Sequence, residues 1–148
     1  MPGKRTGALG DNRSWLLDLA GRGLRDEEAE AACQKELARR QDRGGRASHL
    51  EYQEIDLSGN QVSWRSSQRI VDTCLACQDL QVVKLVRNEL CDRAAPLIST
   101  FLGQCKGLDQ LHLSYNKFTD DGVMLIAAAA QGARRGGGAA AAGAGPGG

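Results

Sequence analysis

A nine-residue phrase that occurs three times at a fixed spacing constrains this chain more than any other feature. Each copy has apolar residues at positions 1, 4 and 6 and an asparagine at position 9, and the asparagines Asn60, Asn88 and Asn116 are 28 residues apart. A period of this length is typical of stacked-repeat architectures, in which each unit packs on its neighbours. The chain is therefore predicted to be a row of similar units. The apolar residues of the three copies are Tyr52, Ile55 and Leu57, then Leu80, Val83 and Leu85, then Leu108, Leu111 and Leu113.

The residues that follow each asparagine predict a helix. When the asparagine counts as position 9, position 13 is aspartate in three of four units, just ahead of an apolar-periodic run. Aspartate in this place is typical of a helix N-cap, and Ser63 can take the same role in the second unit. Apolar residues recur at positions 19 and 23, which lie on one face of a helix. Each unit is thus predicted to contain a short strand, a turn held by the asparagine, and a helix that returns antiparallel to the strand. The residues at position 13 are Asp26, Trp64, Asp92 and Asp120, and those at position 19 are Ala32, Ile70, Ile98 and Ile126.

A degenerate first copy precedes the three clear ones. Residues 17–24 align with residues 55–62 with their apolar positions in register, but Arg22 stands where the asparagine is expected. The step from Arg22 to Asn60 is 38 residues, and the surplus over the period lies in an arginine-rich bulge between Arg39 and Glu51. Terminal repeats are often atypical because they cap the stack. We therefore predict a disordered lead at residues 1–13, repeat units at 14–51, 52–79, 80–107 and 108–131, and a disordered Gly/Ala-rich tail at 132–148.

The phrase Leu-x-x-Leu-x-Leu-x-x-Asn, followed by a helix at a 28-residue period, resembles the ribonuclease-inhibitor-like class of leucine-rich repeats. Ran GTPase-activating proteins and the nucleotide-binding immune receptors share this class of repeat. The resemblance covers residue 14 to about residue 130. It implies an α/β arc, with parallel strands on the concave face and helices on the convex face.

Charge, cysteine content and hydropathy narrow the expected partners and compartment. The formal net charge of +1 favours neither nucleic acid nor an acidic membrane as a partner. Five cysteines, the lack of a secretory start and a longest apolar run of eight residues, against roughly 20 for a spanning helix, predict a cytoplasmic protein without a membrane segment. Cys74 and Cys77 have no second pair or histidine cluster to complete a zinc or redox site. We therefore assign them to packing and expect no metal or cofactor.

Functional residues are expected on the open face of the strands. Position 5 of successive units is Asp18, Asp56, Lys84 and His112, and the face changes from acidic in the first two units to basic and aromatic in the last two. Since tyrosine and arginine often anchor protein interfaces, this mixture favours a protein partner, although an ordinary solvated face explains it equally well. The candidate partner-binding residues are Glu54, Asp56, Lys84, Arg87, His112 and Tyr115.

The same residues indicate binding rather than catalysis. No serine or cysteine nucleophile stands in a recognisable catalytic context. We therefore predict a non-catalytic interaction module that binds a protein through its concave face. The alternative is a fragment similar to the Ran GTPase-activating proteins, although that family has a longer array and an acidic carboxyl-terminal region. Because no polar capping unit follows the fourth helix, self-association through the last repeat is a further prediction.

Overall fold

Strands and helices alternate along the chain in the computed structural model, which describes residues 14–42, 49–135 and 140–142. Every strand is three residues long, and each of the first four is followed by a helix. The elements are β1 Leu16–Asp18, α1 Asp26–Asp42, β2 Glu54–Asp56, α2 Ser67–Leu75, β3 Val82–Lys84, α3 Ala95–Gln104, β4 Gln110–His112, α4 Asp120–Arg135 and β5 Ala140–Ala142. A 3₁₀ turn leads into α2 at Trp64–Ser66 and into α3 at Asp92–Ala94.

The strands form one parallel sheet in sequence order, from β1 to β5. Their register pairs Leu17 with Ile55, Ile55 with Val83, and Val83 with Leu111, so position 4 of each unit stands beside position 4 of the next. Parallel neighbours need a crossover between them, and the helix of each unit supplies it. The predicted unit of strand, turn and helix is therefore confirmed.

The core lies between the sheet and the row of helices. Strand positions 4 and 6 are buried, as Val83 and Leu113 illustrate at 1% and 0% exposure. Position 19 of the helices is buried in the last three units, at Ile70, Ile98 and Ile126, whereas Ala32 of the first unit is only partly buried. Each unit thus has an apolar strand face and an apolar helix stripe that are covered only when units stack.

The turn asparagines join neighbouring units through backbone hydrogen bonds. The Asn88 side-chain amide donates to the carbonyl of Leu57 in the preceding unit at 2.9 Å and to the carbonyl of Leu85 in its own unit at 3.2 Å. Its oxygen accepts from the N–H of Val62 in the preceding unit at 3.0 Å. Asn60 and Asn116 repeat these contacts one unit earlier and one unit later. Only a side chain with both a donor and an acceptor can satisfy this pair of buried backbone groups.

The aspartates at position 13 cap the helix of the next unit rather than their own. The Asp26 carboxylate accepts from the Ser63 N–H at 2.8 Å, the Ser63 hydroxyl at 2.5 Å and the Ser66 hydroxyl at 2.7 Å, all at the start of the second helical segment. Asp92 likewise accepts from the N–H and hydroxyl of Thr119, the residue before α4. The predicted capping of their own helices is therefore wrong for Asp26 and Asp92. Ser63 does cap locally, because its hydroxyl accepts from the Arg65 N–H at 3.2 Å.

The first helix extends into the arginine-rich bulge. α1 has 17 residues and continues through Asp42, so the beginning of the bulge is helical. The Arg39 guanidinium there forms an ion pair with the Glu36 carboxylate at 3.0 Å and donates to the Tyr52 hydroxyl at 3.3 Å. Residues 43–48, the remainder of the predicted bulge, lie outside the described residues, as does the predicted lead at residues 1–13.

Part of the predicted disordered tail has regular structure. α4 continues to Arg135, with Ala133 buried at 9% exposure, and residues 140–142 form β5 beside β4. The prediction of disorder is wrong at these residues, because the apolar stripe of α4 extends past Ala130 and the edge of β4 offers backbone groups for a further strand. Residues 136–139 and 143–148 lie outside the described residues.

Candidate functional site

The candidate site is a surface formed by the open face of β2, β3 and β4 and by the turns after β3 and β4. We call it the strand surface and define it by the six residues proposed from the sequence. The register places Asp56 beside Lys84 and Lys84 beside His112, so position 5 forms a row across three strands as predicted. The six residues are Glu54, Asp56, Lys84, Arg87, His112 and Tyr115.

Lys84 is neutralised within the surface. Its ammonium lies 2.9 Å from the Glu54 carboxylate, which belongs to the neighbouring strand two positions earlier in the unit. The hydrogen bond to Glu54 is the largest influence on Lys84 and, helped by the charges of Glu54 and Asp56, raises the pKa of the ammonium. The acidic and basic halves predicted from the sequence therefore meet in an ion pair at the centre of the surface.

Two other members of the surface have polar contacts inside their own strand or turn. The His112 imidazole Nε2 lies 2.8 Å from the Gln110 side-chain oxygen, on the same strand. The Asp56 carboxylate accepts from the Ser58 N–H at 2.9 Å, which fixes the start of the turn after β2. Both side chains are half-buried, so each presents only part of its polar surface to a partner.

Arg87 and Tyr115 are the most exposed residues of the strand surface. Both are exposed, and the Arg87 guanidinium carbon lies 4.8 Å from the centroid of the Tyr115 ring. Tyr115 is 62% exposed, which is high for an aromatic side chain. Both residues have a left-handed backbone, with φ of 59° at Arg87 and 61° at Tyr115. They are the only non-glycine residues with positive φ in the part of the chain that the structure describes.

Comparisons with known proteins agree with the alternating strands and helices of the fold. The family model described as Leucine Rich repeat matches residues 105–127. The chain is also similar to the solved structure of leiomodin-1 actin-binding site 2, with a TM-score of 0.61 and 13% sequence identity. The fold is a leucine-rich-repeat arc. The match covers 82% of this chain and 66% of that chain, so this chain spans just under two thirds of that structure. Among curated proteins, no sequence relative was found.

The cysteines of the leucine-rich-repeat arc are placed for packing. All five are unpaired thiols, and only Cys91 is more than marginally exposed. Burial raises the pKa of Cys77 to about 12 and holds the pKa of Cys74 well above its ordinary value. Such thiols are protonated at neutral pH and therefore poor nucleophiles and metal ligands. Across residues 14–42, 49–135 and 140–142, no three His, Cys, Asp or Glu side chains are grouped to hold a metal ion.

No helix within the described leucine-rich-repeat units is long and apolar enough to cross a membrane. This concerns the described helices, of which α1 is the longest at 17 residues and is strongly polar.

Two features of the leucine-rich-repeat surface were not found from the sequence. The Lys84–Glu54 ion pair joins different positions of neighbouring units, so a comparison of equal positions does not show it. The left-handed backbone at position 8 did leave a signal, because Gly21 and Gly59 occupy that position in the first two units and have φ of 66° and 72°. Glycine at a repeat position often marks a conformation that side chains disfavour.

Proposed function

We propose that this leucine-rich-repeat arc is a non-catalytic module that binds a protein partner through the strand surface. The observation that carries the proposal is the strand register, which places Asp56, Lys84 and His112 side by side on a parallel sheet. Neighbouring strands lie about 4.8 Å apart, so the sheet presents these side chains at a fixed and close spacing. A rigid surface loses little conformational entropy when a partner docks, which favours binding.

We further propose that the repeats are of the ribonuclease-inhibitor-like class and that the protein acts in the cytoplasm. The first proposal is supported by the 28-residue period and by the return of each clear unit through an α-helix. The second is supported by five unpaired thiols, which persist in a reducing compartment. Self-association through the last repeat is supported by Met124 and Leu125 of α4, which are 68% and 45% exposed.

Affinity capture with two matched triple variants tests the strand surface. The first variant replaces Lys84, Arg87 and His112 with alanine. The control replaces Arg69 in α2, Gln104 at the end of α3 and Lys106 in the turn after α3, which are exposed and similar in size and charge. We expect the unaltered chain and the control to retain the same proteins from a native lysate, and the first variant to lose at least one of them. If the three chains retain identical sets, the strand surface is not the binding site.

Two defined assays accompany the capture. Co-sedimentation with actin filaments tests one named partner, because the similar solved structure is an actin-binding site. A GTP hydrolysis assay with a small GTPase tests the alternative of a fragment similar to Ran GTPase-activating proteins. Stimulated hydrolysis would favour that alternative, and a stable complex with no change in hydrolysis would favour the interaction module.

A further inference from the structure

Position 8 of the repeat, the residue before each turn asparagine, has the same backbone conformation in all four units. Its residues are Gly21, Gly59, Arg87 and Tyr115, and their φ values of 66°, 72°, 59° and 61° all lie in the left-handed region. The turn geometry therefore demands this conformation whatever residue is present. Glycine adopts it without steric cost, whereas a residue with a Cβ is destabilised there relative to glycine. The last two units thus have side chains at a position where the fold itself favours glycine.

Space is not the reason that the first two units have glycine there. A Cβ added at Gly21 would meet no atom within 4 Å, and one added at Gly59 would come no closer than 3.6 Å to the backbone of Gly21. The turn therefore accommodates a side chain sterically at both positions, and only the left-handed backbone opposes it. The side chains of Arg87 and Tyr115 must then be explained by what they contact.

Their contacts within the chain are few. The Arg87 guanidinium stacks on the Tyr115 ring at 4.8 Å, and both side chains are exposed. Stacking between exposed side chains is a weak interaction in water. Among the described residues, no ion pair or hydrogen bond joins the guanidinium of Arg87 or the hydroxyl of Tyr115 to another residue. Strained residues that gain little inside the fold are concentrated at functional sites.

The charges around the pair indicate what it can bind. Lys84, the other cation of the strand surface, is already paired with Glu54 at 2.9 Å. The guanidinium of Arg87 therefore remains available to an external anion. The guanidinium lies over the Tyr115 ring, and its planar set of N–H donors matches the two oxygens of a carboxylate.

We propose that Arg87 and Tyr115 form an anchor for a carboxylate side chain in an acidic segment of the partner protein. This proposal deepens the proposed function, since it names the chemistry of the partner at one end of the strand surface. The carboxylate pairs with the Arg87 guanidinium, and the exposed Tyr115 ring packs against the alkyl part of the same segment. The exposed Asp18 and the half-buried Asp56 on the first two strands repel acidic residues, so the acidic part of the segment lies over the third and fourth units.

An NMR titration of the full chain tests the anchor. Hexaglutamate is the probe, and hexaglutamine of the same length is its uncharged control. We expect hexaglutamate to shift the Arg87 side-chain Nε–H signal and the Tyr115 ring signals, and hexaglutamine to leave them unchanged. Arg87→Gly is expected to weaken hexaglutamate binding by about tenfold, and Arg87→Lys is expected to restore only part of it, because lysine cannot form the bidentate pair. Arg65 and Arg93 are the internal control, because both are exposed and their guanidinium carbons lie 5.1 and 4.4 Å from the centroid of the Trp64 ring. Equal shifts at these two arginines, or no effect of Arg87→Gly, would overturn the proposal.

A thermal melt of the same variants separates an anchor from a structural pair. We expect Arg87→Gly and Tyr115→Gly each to raise the Tm by about 2–5 °C, because glycine relieves the left-handed backbone. Gly59→Ala is the control and is expected to lower the Tm. A lower Tm for both glycine variants would show that the side chains serve stability and would contradict the anchor.

The outcomes also separate this proposal from the proposed function. If a captured partner depends on Lys84 and His112 but not on Arg87 or Tyr115, the strand surface is the binding site and the anchor is wrong. If no partner depends on any of the four, the proposed function itself fails.

Discussion

The first turn of the array and the internal turns differ at one residue, and the difference shows what that residue does. The internal turns have Asn60, Asn88 and Asn116, whereas the first turn has Arg22. Each asparagine binds a carbonyl and an N–H of the preceding unit, as Asn88 does with Leu57 and Val62. No repeat unit with such groups stands before Arg22 among the described residues. The asparagine is thus required by the unit before it, and the first turn can do without it.

The aspartates at position 13 show the same dependence in the opposite direction. Asp26 and Asp92 cap the helix of the unit that follows them. The second unit has Trp64 instead, and the helical segment of the third unit has no side-chain cap bond. The residue that the carboxylate would contact in the next unit changes together with position 13. It is Ser63 or Thr119 where the preceding unit has an aspartate, and Cys91 where the preceding unit has Trp64. The two internal units therefore share side-chain hydrogen bonds with the units on both sides of them, as well as a core.

Replacement of an internal asparagine should have the largest effect. In Asn88→Ala, the N–H of Val62 loses its partner in a region where Asn88 itself is only 6% exposed. The carbonyl of Leu57 loses one of two donors, because the Asn60 amide still donates to it at 2.8 Å. A buried backbone group without a partner costs about 1–3 kcal/mol, so the loss should be about 1–3 kcal/mol in the free energy of unfolding. Urea denaturation followed by circular dichroism measures it.

The matched comparison for this variant is Arg22→Ala in the first turn. Arg22 is exposed, and its guanidinium donates to the Asp18 carbonyl at 2.8 Å. Surface substitutions of this kind usually change stability by less than about 0.5 kcal/mol. Equal losses in Asn88→Ala and Arg22→Ala would show that the turn residue acts within its own unit, contrary to the comparison.

The period made the fold predictable because stacking imposes the same burial pattern on every unit. Val83 and Leu85 are buried for the reason that Ile55 and Leu57 are, so one unit predicts the next. The direction of the cap was not predictable. In a stack, Asp92 lies near the start of its own helix, α3, and near the start of the next helix, α4, and the sequence does not say which one its carboxylate contacts. β5 was missed because residues 140–142 have no apolar phrase, and their pairing depends on the edge that β4 offers.

The candidate site was predictable in its position and not in its contacts. The row of Asp56, Lys84 and His112 follows from equal positions in successive units, and the register contains it. The ion pair between Lys84 and Glu54 depends on side chains that reach diagonally between strands, and the sequence does not fix such choices. Whether these residues bind a partner remains a prediction.

The interunit caps should have an intermediate effect that depends on pH. Asp26→Ala removes the cap on the second helical segment and should cost about 1 kcal/mol at neutral pH. Burial favours the protonated form of Asp26, but hydrogen bonds from Ser63 and Ser66 outweigh it and lower the pKa of its carboxyl. Hydrogen bonds from Thr119 likewise lower the pKa of Asp92. A lowered folded-state pKa means that the stabilisation is present above the unfolded value of about 3.9 and is lost as the pH falls through the folded value. Thermal melts between neutral pH and the region below pH 4 should show this loss.

The matched control for the caps is Asp120, which occupies the same position in the last unit. Within the described part of the chain, no side-chain hydrogen bond joins Asp120 to a following unit. Asp120→Ala should therefore lower the free energy of unfolding by less than Asp26→Ala. It removes only the favourable negative charge at the start of α4, which contributes about 0.3–1 kcal/mol. A double variant of Asp26 and Asp92 should also lose less stability on acidification than the unaltered chain. If acid sensitivity is unchanged in the double variant, the caps are not what the pH weakens.

The substitution with the smallest expected effect, Arg22→Asn, tests the comparison between turns most directly. Arg22→Asn restores the repeat phrase in the first unit, so a rule based on sequence alone would expect a clear gain in stability. The asparagine would find carbonyls of its own unit, in the way that Asn88 donates to Leu85, but no preceding repeat unit among the described residues offers it a carbonyl and an N–H. The substitution also removes the Arg22 bond to the Asp18 carbonyl, which lies in the exposed part of the turn. We therefore expect a change within about 0.5 kcal/mol in the free energy of unfolding, measured by urea denaturation beside Asn88→Ala. A gain as large as the loss in Asn88→Ala would mean that the bonds within the unit carry the energy, and that each repeat is more independent than its hydrogen bonds indicate.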